Sequence, residues 1–550
     1  MKAIDRRLRE LLYSGDQYVV PAFQRYYKWE REDWRKLWDD IDTLYSEEPG
    51  GSHFMGSMVC MAAPQVPGVV PAYMLIDGQQ RIVTLSLMLS AIRDIAKARN
   101  DNKLAEEIQE QFLIHKYKKE GERYRVFVRL RDRGVYNSII DEDFDSLTDF
   151  ESRIYSSYDY FKVKIKSERE DGTHYDLRSL FTTISDRLGF VLITLEGDPP
   201  FKIFKSLNST GAPLEESDLI RNYVFTNVGL KEADEFDRVH WNPIENVFRK
   251  NDSIDSKQLT AFIRDFLISQ GGYVRTDEIT DSFERAFPPD KFDPLKLAEQ
   301  LKASAALYSV IIGRQPHEDA RIEETLQDLR ELDAGTSNPL VLKLLSMRSS
   351  NELTADDAVS ALNHLRGFIL RRYVCDYGSR TYGKWFAAAT GELSHGPSAL
   401  LGYLKEKGWP DDAEFTETLL KFNLYQSNYG HFLLACVERA MGNGEAVDMR
   451  KTTVEHVMPQ SLSADWKSML GSDYEAVHKK WKDTIGNLTL AGHNGDPGNI
   501  PFEEKKKMYA QSSFKMNAYF ADREKWTGAQ IESRGRELAV VAAKVFPQAP

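Results

Sequence analysis

The segment Val454-Glu455-His456-Val457-Met458-Pro459-Gln460 sets an acid and a histidine side by side on a short apolar stretch. Downstream, Ile485-Gly486-Asn487-Leu488-Thr489-Leu490 reads as a second strand, followed by His493-Asn494, Asn499 and Pro501-Phe502-Glu503-Glu504-Lys505-Lys506-Lys507. The last piece carries helix-start chemistry: Asn499 can cap, Pro501 suits the first turn, the glutamates lie near the positive end and the lysines follow. The order is therefore strand, long loop, strand, short loop, helix. Phosphodiester hydrolysis calls for these residue types. Water needs a base near neutral pH, and histidine has the right proton affinity. A hard divalent cation, Mg²⁺ or Mn²⁺, offsets the charge on the attacking and leaving oxygens and takes carboxylate and carboxamide ligands. Glu455 and Asn494 are the candidate ligands, and Asn487 is expected to hydrogen-bond and orient His456. Neighbouring strand residues point to opposite faces. Glu455 and His456 thus reach one site only if the strand bends or ends, and the Met458-Pro459 break is read as that end.

This is the order of a ββα-metal finger. The run Glu-His-hydrophobic-x-Pro, then Gly-Asn-Leu-Thr-Leu, then Asn and a Phe-x-x-Lys helix resembles the HNH nucleases over about Thr452 to Tyr509. The resemblance implies His456 and Asn487 as catalytic residues, Glu455 and Asn494 on the metal, and Lys505 on DNA. The loop from Leu490 to Asn494 is shorter than that signature expects, so His493 rivals Asn494 for the third position.

Three N-terminal segments form a second constellation: Val20-Pro21-Ala22-Phe23-Gln24-Arg25-Tyr26-Tyr27-Lys28-Trp29, Leu75-Ile76-Asp77-Gly78-Gln79-Gln80-Arg81, and Phe204-Lys205-Ser206-Leu207-Asn208-Ser209-Thr210-Gly211. A strand–turn–helix junction offers backbone N–H groups to an anion, and Arg81 adds a planar cation suited to phosphate. A cation at a helix start opposes the helix dipole, which a bound phosphate would offset. Asp77 could hold Mg²⁺ or orient water, Gln79 could position the attacking water, and Asn208 could bind phosphate or base. Tyr26, Tyr27 and Trp29 could stack on a base or line a pocket for a modified group, whereas Trp34 and Trp38, four residues apart, read as core. Gly378 to Lys384 fits Gly-x4-Gly-Lys, but Trp385 stands where a Mg²⁺-binding Ser or Thr would be, so it is not read as a P-loop.

The Asp-Gly-Gln-Gln-Arg segment, with the Gln24-Arg25 and Leu207-Asn208 elements, resembles the ParB-like NTPase region of the GmrSD family, over about residues 10–225. In that family this region is fused to the same HNH branch, matched here at about 430–510. The resemblance implies a type IV, modification-dependent restriction endonuclease in phage defence. It implies NTP hydrolysis (GTP, ATP or UTP) with Asp77, Gln79 and Arg81 catalytic, and Gln24, Arg25, Asp77, Gly78, Gln79, Gln80, Arg81 and Asn208 as the nucleotide site. The implied partners are modified DNA and a nucleoside triphosphate. A homo-oligomer is compatible with the sequence. The alternatives are a nucleotide-controlled DNA sensor with a degenerate, non-catalytic HNH fold and a repressor acting by DNA binding alone.

The elements that must carry these residues are legible from periodicity. Helices are expected at Glu32–Tyr45, Arg81–Ala98, Lys257–Ser269, Leu295–Ile312, Ile322–Leu332 and Asp356–Tyr373, and strands at His53–Met61, Met74–Ile76 and Leu188–Leu195. The fold expected is α+β and helix-rich: a ParB-like α/β domain over 1–228, a helical middle over 229–425 and a ββα-metal domain over 426–550. The chain has 550 residues and a formal net charge of −12, but His431 to Pro550 carries 16 Lys and Arg against 15 Asp and Glu. The acidity thus lies upstream. A basic stretch from Lys116 to Arg133 contains an alternating run, Tyr124–Leu130, read as a half-buried strand with a solvated or phosphate-contacting face. No apolar run of about 18 residues exists, no apolar segment follows the charged N-terminus, and Cys60, Cys375 and Cys436 form no CxxC pair. A cytoplasmic protein without a thiolate zinc site is expected.

Overall fold

The computed structural model describes residues 2–47, 50–63, 69–118, 120–147, 149–169, 171–195, 215–228, 232–250, 253–442, 451–492 and 498–550. The chain forms two compact units, one of residues 1–260 and 283–299, the other of 261–282 and 300–550. The fold is α+β and helix-rich. Among the described residues no helix is long and apolar enough to cross a membrane.

The first unit is built on a six-stranded mixed sheet. Its strands are β1 (Lys2–Arg7), β2 (Gln17–Val19), β3 (His53–Ala62), β4 (Ala72–Asp77), β5 (Val126–Phe127) and β6 (Leu188–Leu195), in the order β1-β6-β3-β4-β2-β5. β3 runs antiparallel to β4 and parallel to β6, and β2 runs parallel to β4 and β5. From β4 the chain enters the helix Gln79–Ala98, which is apolar on nearly all sides because other helices surround it. Trp34 and Trp38, on the helix Arg31–Ser46, are core residues as expected. The alternating run Tyr124–Leu130 is a strand only at Val126–Phe127. Arg125 and Arg129 are buried, so they form no solvated or phosphate-contacting face. Arg129 instead pairs with Asp237 at 2.7 Å and lies over the Tyr26 ring. A short hairpin, β7 (Arg249–Lys250) and β8 (Ser253–Ile254), completes this unit's strands among the described residues.

The second unit is helical until its last third. Helices Asn338–Ser349, Ala355–Val374 and Tyr382–Leu393 pack together. Gly378 to Thr381 lies between two of these helices and Tyr382 to Lys384 begins the second, with no strand leading in. The last third holds a two-stranded antiparallel sheet of β9 (Thr452–His456) and β10 (Leu488–Gly492), then the helix Phe502–Ala510. The long loop expected between the strands is instead two helices, Ala464–Leu470 and Tyr474–Trp481. Their Trp466 and Trp481 join Val457, Met458, Phe502 and Trp526 in one apolar core. The C-terminal helix Gly528–Val545 packs on the turn Ile485–Asn487. A Cβ on Gly486 would collide with the Ile531 carbonyl, so glycine is required for this approach.

Candidate active site

β9 stops at His456, two residues before Met458, and the chain turns away from the sheet there. The expected conflict of facing is resolved by that ending: Glu455 and His456 both line one open cleft, with Thr453, Gln460 and Asn499. Opposite them on β10, Leu488 pairs with His456 and Thr489 with Glu455.

His456 is buried, at 5% exposure. Its Nε2 lies 3.1 Å from Asp483 Oδ1 and its Nδ1 3.4 Å from Gln460 Nε2. The Tyr425 ring packs against the imidazole, with centroids 4.2 Å apart. Burial pushes the imidazole below its ordinary pKa. Asp483 opposes this, while Lys505 and Lys482 add to it. The ring is thus neutral at neutral pH, the form a general base requires.

Two expected roles change. Asn487 does not orient the imidazole. Its carboxamide is fully buried: Oδ1 accepts from Met458 N at 2.7 Å and from Trp526 Nε1 at 3.1 Å, and Nδ2 donates to the Met458 and Lys482 carbonyls. It fixes the turn just after His456 and lies in a short 3₁₀ turn rather than on the strand. Lys505 does not reach outward to DNA, because it is completely buried. Its ammonium donates to the His456 carbonyl at 2.6 Å and lies 3.3 Å from Glu455 Oε1. The helix supplying it begins after Pro501, which stands at the cap position in place of Asn499. Asp483, which does hold the imidazole, went unrecognised. It lies in the turn before Ile485, and no spacing rule links it to His456.

Asn494 and His493 lie outside the described residues. Among the described residues no group of three His, Cys, Asp or Glu is placed to hold a metal. The cleft nonetheless offers the hard oxygen donors that suit Mg²⁺ or Mn²⁺: the Glu455 carboxylate and the side-chain oxygens of Thr453, Gln460 and Asn499.

In the first unit, the Asp77-Gly78-Gln79-Gln80-Arg81 junction is held by its own side chains. Gly78 has φ +95° and caps the helix, and a Cβ there would lie 2.9 Å from Met58 Cγ. Gln79 donates to Gln24 Oε1 at 3.0 Å, and Gln24 donates to the Leu75 and Ile76 carbonyls. Gln80 accepts from Lys28 N at 2.8 Å and donates to the Tyr26 carbonyl. The three glutamines are buried and pin the loop around Arg25 to the junction, so Gln79 does not face solvent to hold a water. Arg81 reaches back to the Met55 and Ser57 carbonyls, at a bulge in β3, and to Asp77 Oδ2 at 3.3 Å. Carbonyls and a carboxylate thus already offset its place at a helix start. Asp77 remains half exposed beside it.

Tyr26 and Tyr27 are also mostly buried, and both line the cleft that Arg25 lines. Tyr26 donates to Asp237 and Asn242, and the Tyr27 hydroxyl is bonded by Thr84, Ser157 and Trp34. Of the expected nucleotide residues, Arg25 lines a cleft of this unit, together with Lys28, Arg131 and Arg153. Its Nε is buried and has no partner among the described residues. Asn208 lies outside the described residues.

The first and last parts of the chain match one class of protein, the restriction endonucleases. Residues 8–225 match the N-terminal domain of the GmrSD restriction endonucleases, and residues 409–541 match the C-terminal domain of the same enzymes. The two matches run in order and together cover more than half of the chain. The chain belongs to the GmrSD restriction endonuclease family. No match was found among curated proteins.

Proposed function

We propose that the chain is a nucleotide-dependent, modification-sensing DNA endonuclease of type IV, acting in phage defence. The observation that carries the nuclease part of this reading is His456: a buried imidazole, held by Asp483, that opens on the same cleft as Glu455. In this reading His456 takes the proton from the attacking water. Glu455, with Asn494 or His493, holds Mg²⁺ or Mn²⁺, and that ion stabilises charge on the phosphate oxygens. Lys505 holds the His456 main chain and Glu455 in register, and Asn487 fixes the turn that follows. In the first unit, Arg25 and Asp77 are the residues best placed to meet a nucleotide, because Arg25 lines a cleft with no partner at its Nε among the described residues and Asp77 is half exposed. The buried glutamines and Arg81 shape the junction around them.

The test is nicking of matched plasmids, modified and unmodified, by the full-length chain with and without GTP, ATP or UTP in Mg²⁺. Cleavage of modified DNA that responds to nucleotide, stops in EDTA and disappears in His456→Ala is expected. A general base is worth about 10²–10⁴ in rate. Cleavage in EDTA, or a His456→Ala variant as fast as wild type, overturns the metal-finger assignment. DNA binding without cleavage under every condition favours the non-catalytic sensor.

A further inference from the structure

Asp483 belongs to none of the motifs that pointed to the site, yet its two ends act on both sides of the imidazole. Its Oδ1 lies 3.1 Å from His456 Nε2. A carboxylate accepts, so Nε2 carries the hydrogen and donates it, which leaves the lone pair on Nδ1. The contact to Nδ1 is a long one, 3.4 Å to Gln460 Nε2, and Gln460 itself lines the cleft. The second carboxylate oxygen lies 3.8 Å from Lys482 Nζ. The main chain of the same residue faces the other way. The Asp483 carbonyl accepts from Leu424 N at 2.9 Å and from Tyr425 N at 3.2 Å. That pair of bonds seats the turn bearing Tyr425, whose ring lies 4.2 Å from the imidazole at 57°. Tyr425 is 41% exposed, so its ring packs on the imidazole from the solvent side.

We infer that Asp483 is a positioning residue: its carboxylate fixes the Nε2–H tautomer and ring angle of His456, and its carbonyl seats Tyr425 against the ring, so that Nδ1 is the nitrogen presented to the cleft. The inference rests on the reading of His456 as general base. Its geometry is that of a carboxylate–imidazole pair. In serine proteases, replacing such a carboxylate by an amide lowers kcat by about 10⁴ through the wrong tautomer, with the structure intact.

Two measurements on the full-length chain test it. The first needs no cleavage. In ¹⁵N-edited spectra of histidine-labelled protein, a downfield, slowly exchanging ring N–H is expected that disappears in His456→Ala and also in Asp483→Ala. A signal assigned to His456 that survives in Asp483→Ala overturns the inference. The second is nicking of supercoiled plasmid in Mg²⁺ with nucleotide. The isosteric Asp483→Asn is expected to lower kcat by about 10²–10⁴ with KM and melting temperature unchanged, and Asp483→Glu to recover part of the loss. A kcat equal to wild type in Asp483→Asn overturns it, as does a loss confined to KM. If His456→Ala nicks as fast as wild type, the base assignment fails, and the N–H signal alone decides whether Asp483 holds the ring.

Discussion

Replacing Lys505 with methionine separates two roles that the sequence alone leaves indistinguishable. Methionine keeps the length and the apolar stem but deletes the ammonium. Lys505 is completely buried, so nothing of the loss is made up by water. The His456 carbonyl loses a donor at 2.6 Å, and Glu455 loses the cation at 3.3 Å. An orphaned buried acceptor costs about 1–3 kcal/mol, and breaking a buried ion pair about 3–5 kcal/mol. Glu455 keeps some exposure, at 13% of its side chain, so the lower end, about 3 kcal/mol, is expected. For a unit of this size about 3 kcal/mol corresponds to roughly 6–12 °C on its unfolding transition. Nicking should fall with it, because the same ammonium holds the main chain of His456. The assay is thermal unfolding of the full chain, followed by DNA binding across a salt series. A phosphate-contacting lysine would behave in the opposite way: the melting temperature would stay at the wild-type value, and the slope of log Kd against log salt would fall by about one. That result would refute the buried role.

Asp265, buried and bonded by the Tyr308 hydroxyl at 2.8 Å, has its carboxyl pushed up to about 7 by desolvation, against an ordinary 3.8. The folded chain holds this proton where the unfolded chain has released it, so the stability it contributes is full below about pH 4 and is lost as pH rises through about 7. The unfolding free energy of wild type in urea should fall between pH 5 and pH 8 relative to Asp265→Asn, by about 3 kcal/mol at most; parallel curves would remove the argument. Gly78→Ala places a Cβ at φ +95° and 2.9 Å from Met58 Cγ, so a loss of at least about 1–2 kcal/mol in the first unit is expected by urea unfolding. A variant as stable as wild type would show that the junction relaxes freely. Asn494→Ala should lower nicking more than His493→Ala, and the reverse order in a side-by-side rate measurement would assign the third position to His493.

Short-range physics is what the sequence carries, and it located much of this protein. Hydrophobic period placed the helices Arg31–Ser46, Gln79–Ala98 and Ala355–Val374 and the strand Leu188–Leu195 within two residues of their ends, because a buried face imposes its repeat on any chain that forms it. The Asp77-Gly78 turn and the strand–strand–helix order around His456 were legible for the same reason, since turns and caps depend on neighbouring residues. The two helices inserted between β9 and β10 were not recognised, though both are short and anchored by tryptophans buried in a core drawn from distant segments. What each polar side chain bonds was settled only by tertiary structure. Lys505 reads as a surface lysine in a run of three, yet the turn of its helix points it at the His456 carbonyl. Arg81 reads as a phosphate cation, yet a bulge in β3 offers it carbonyls. Tyr26 and Tyr27 read as stacking rings, yet their hydroxyls close buried networks. Asp483 reads as nothing at all until the chain brings it 3.1 Å from an imidazole 27 positions away. A hydrogen bond is decided over about 3 Å in space, and the sequence records only separation along the chain.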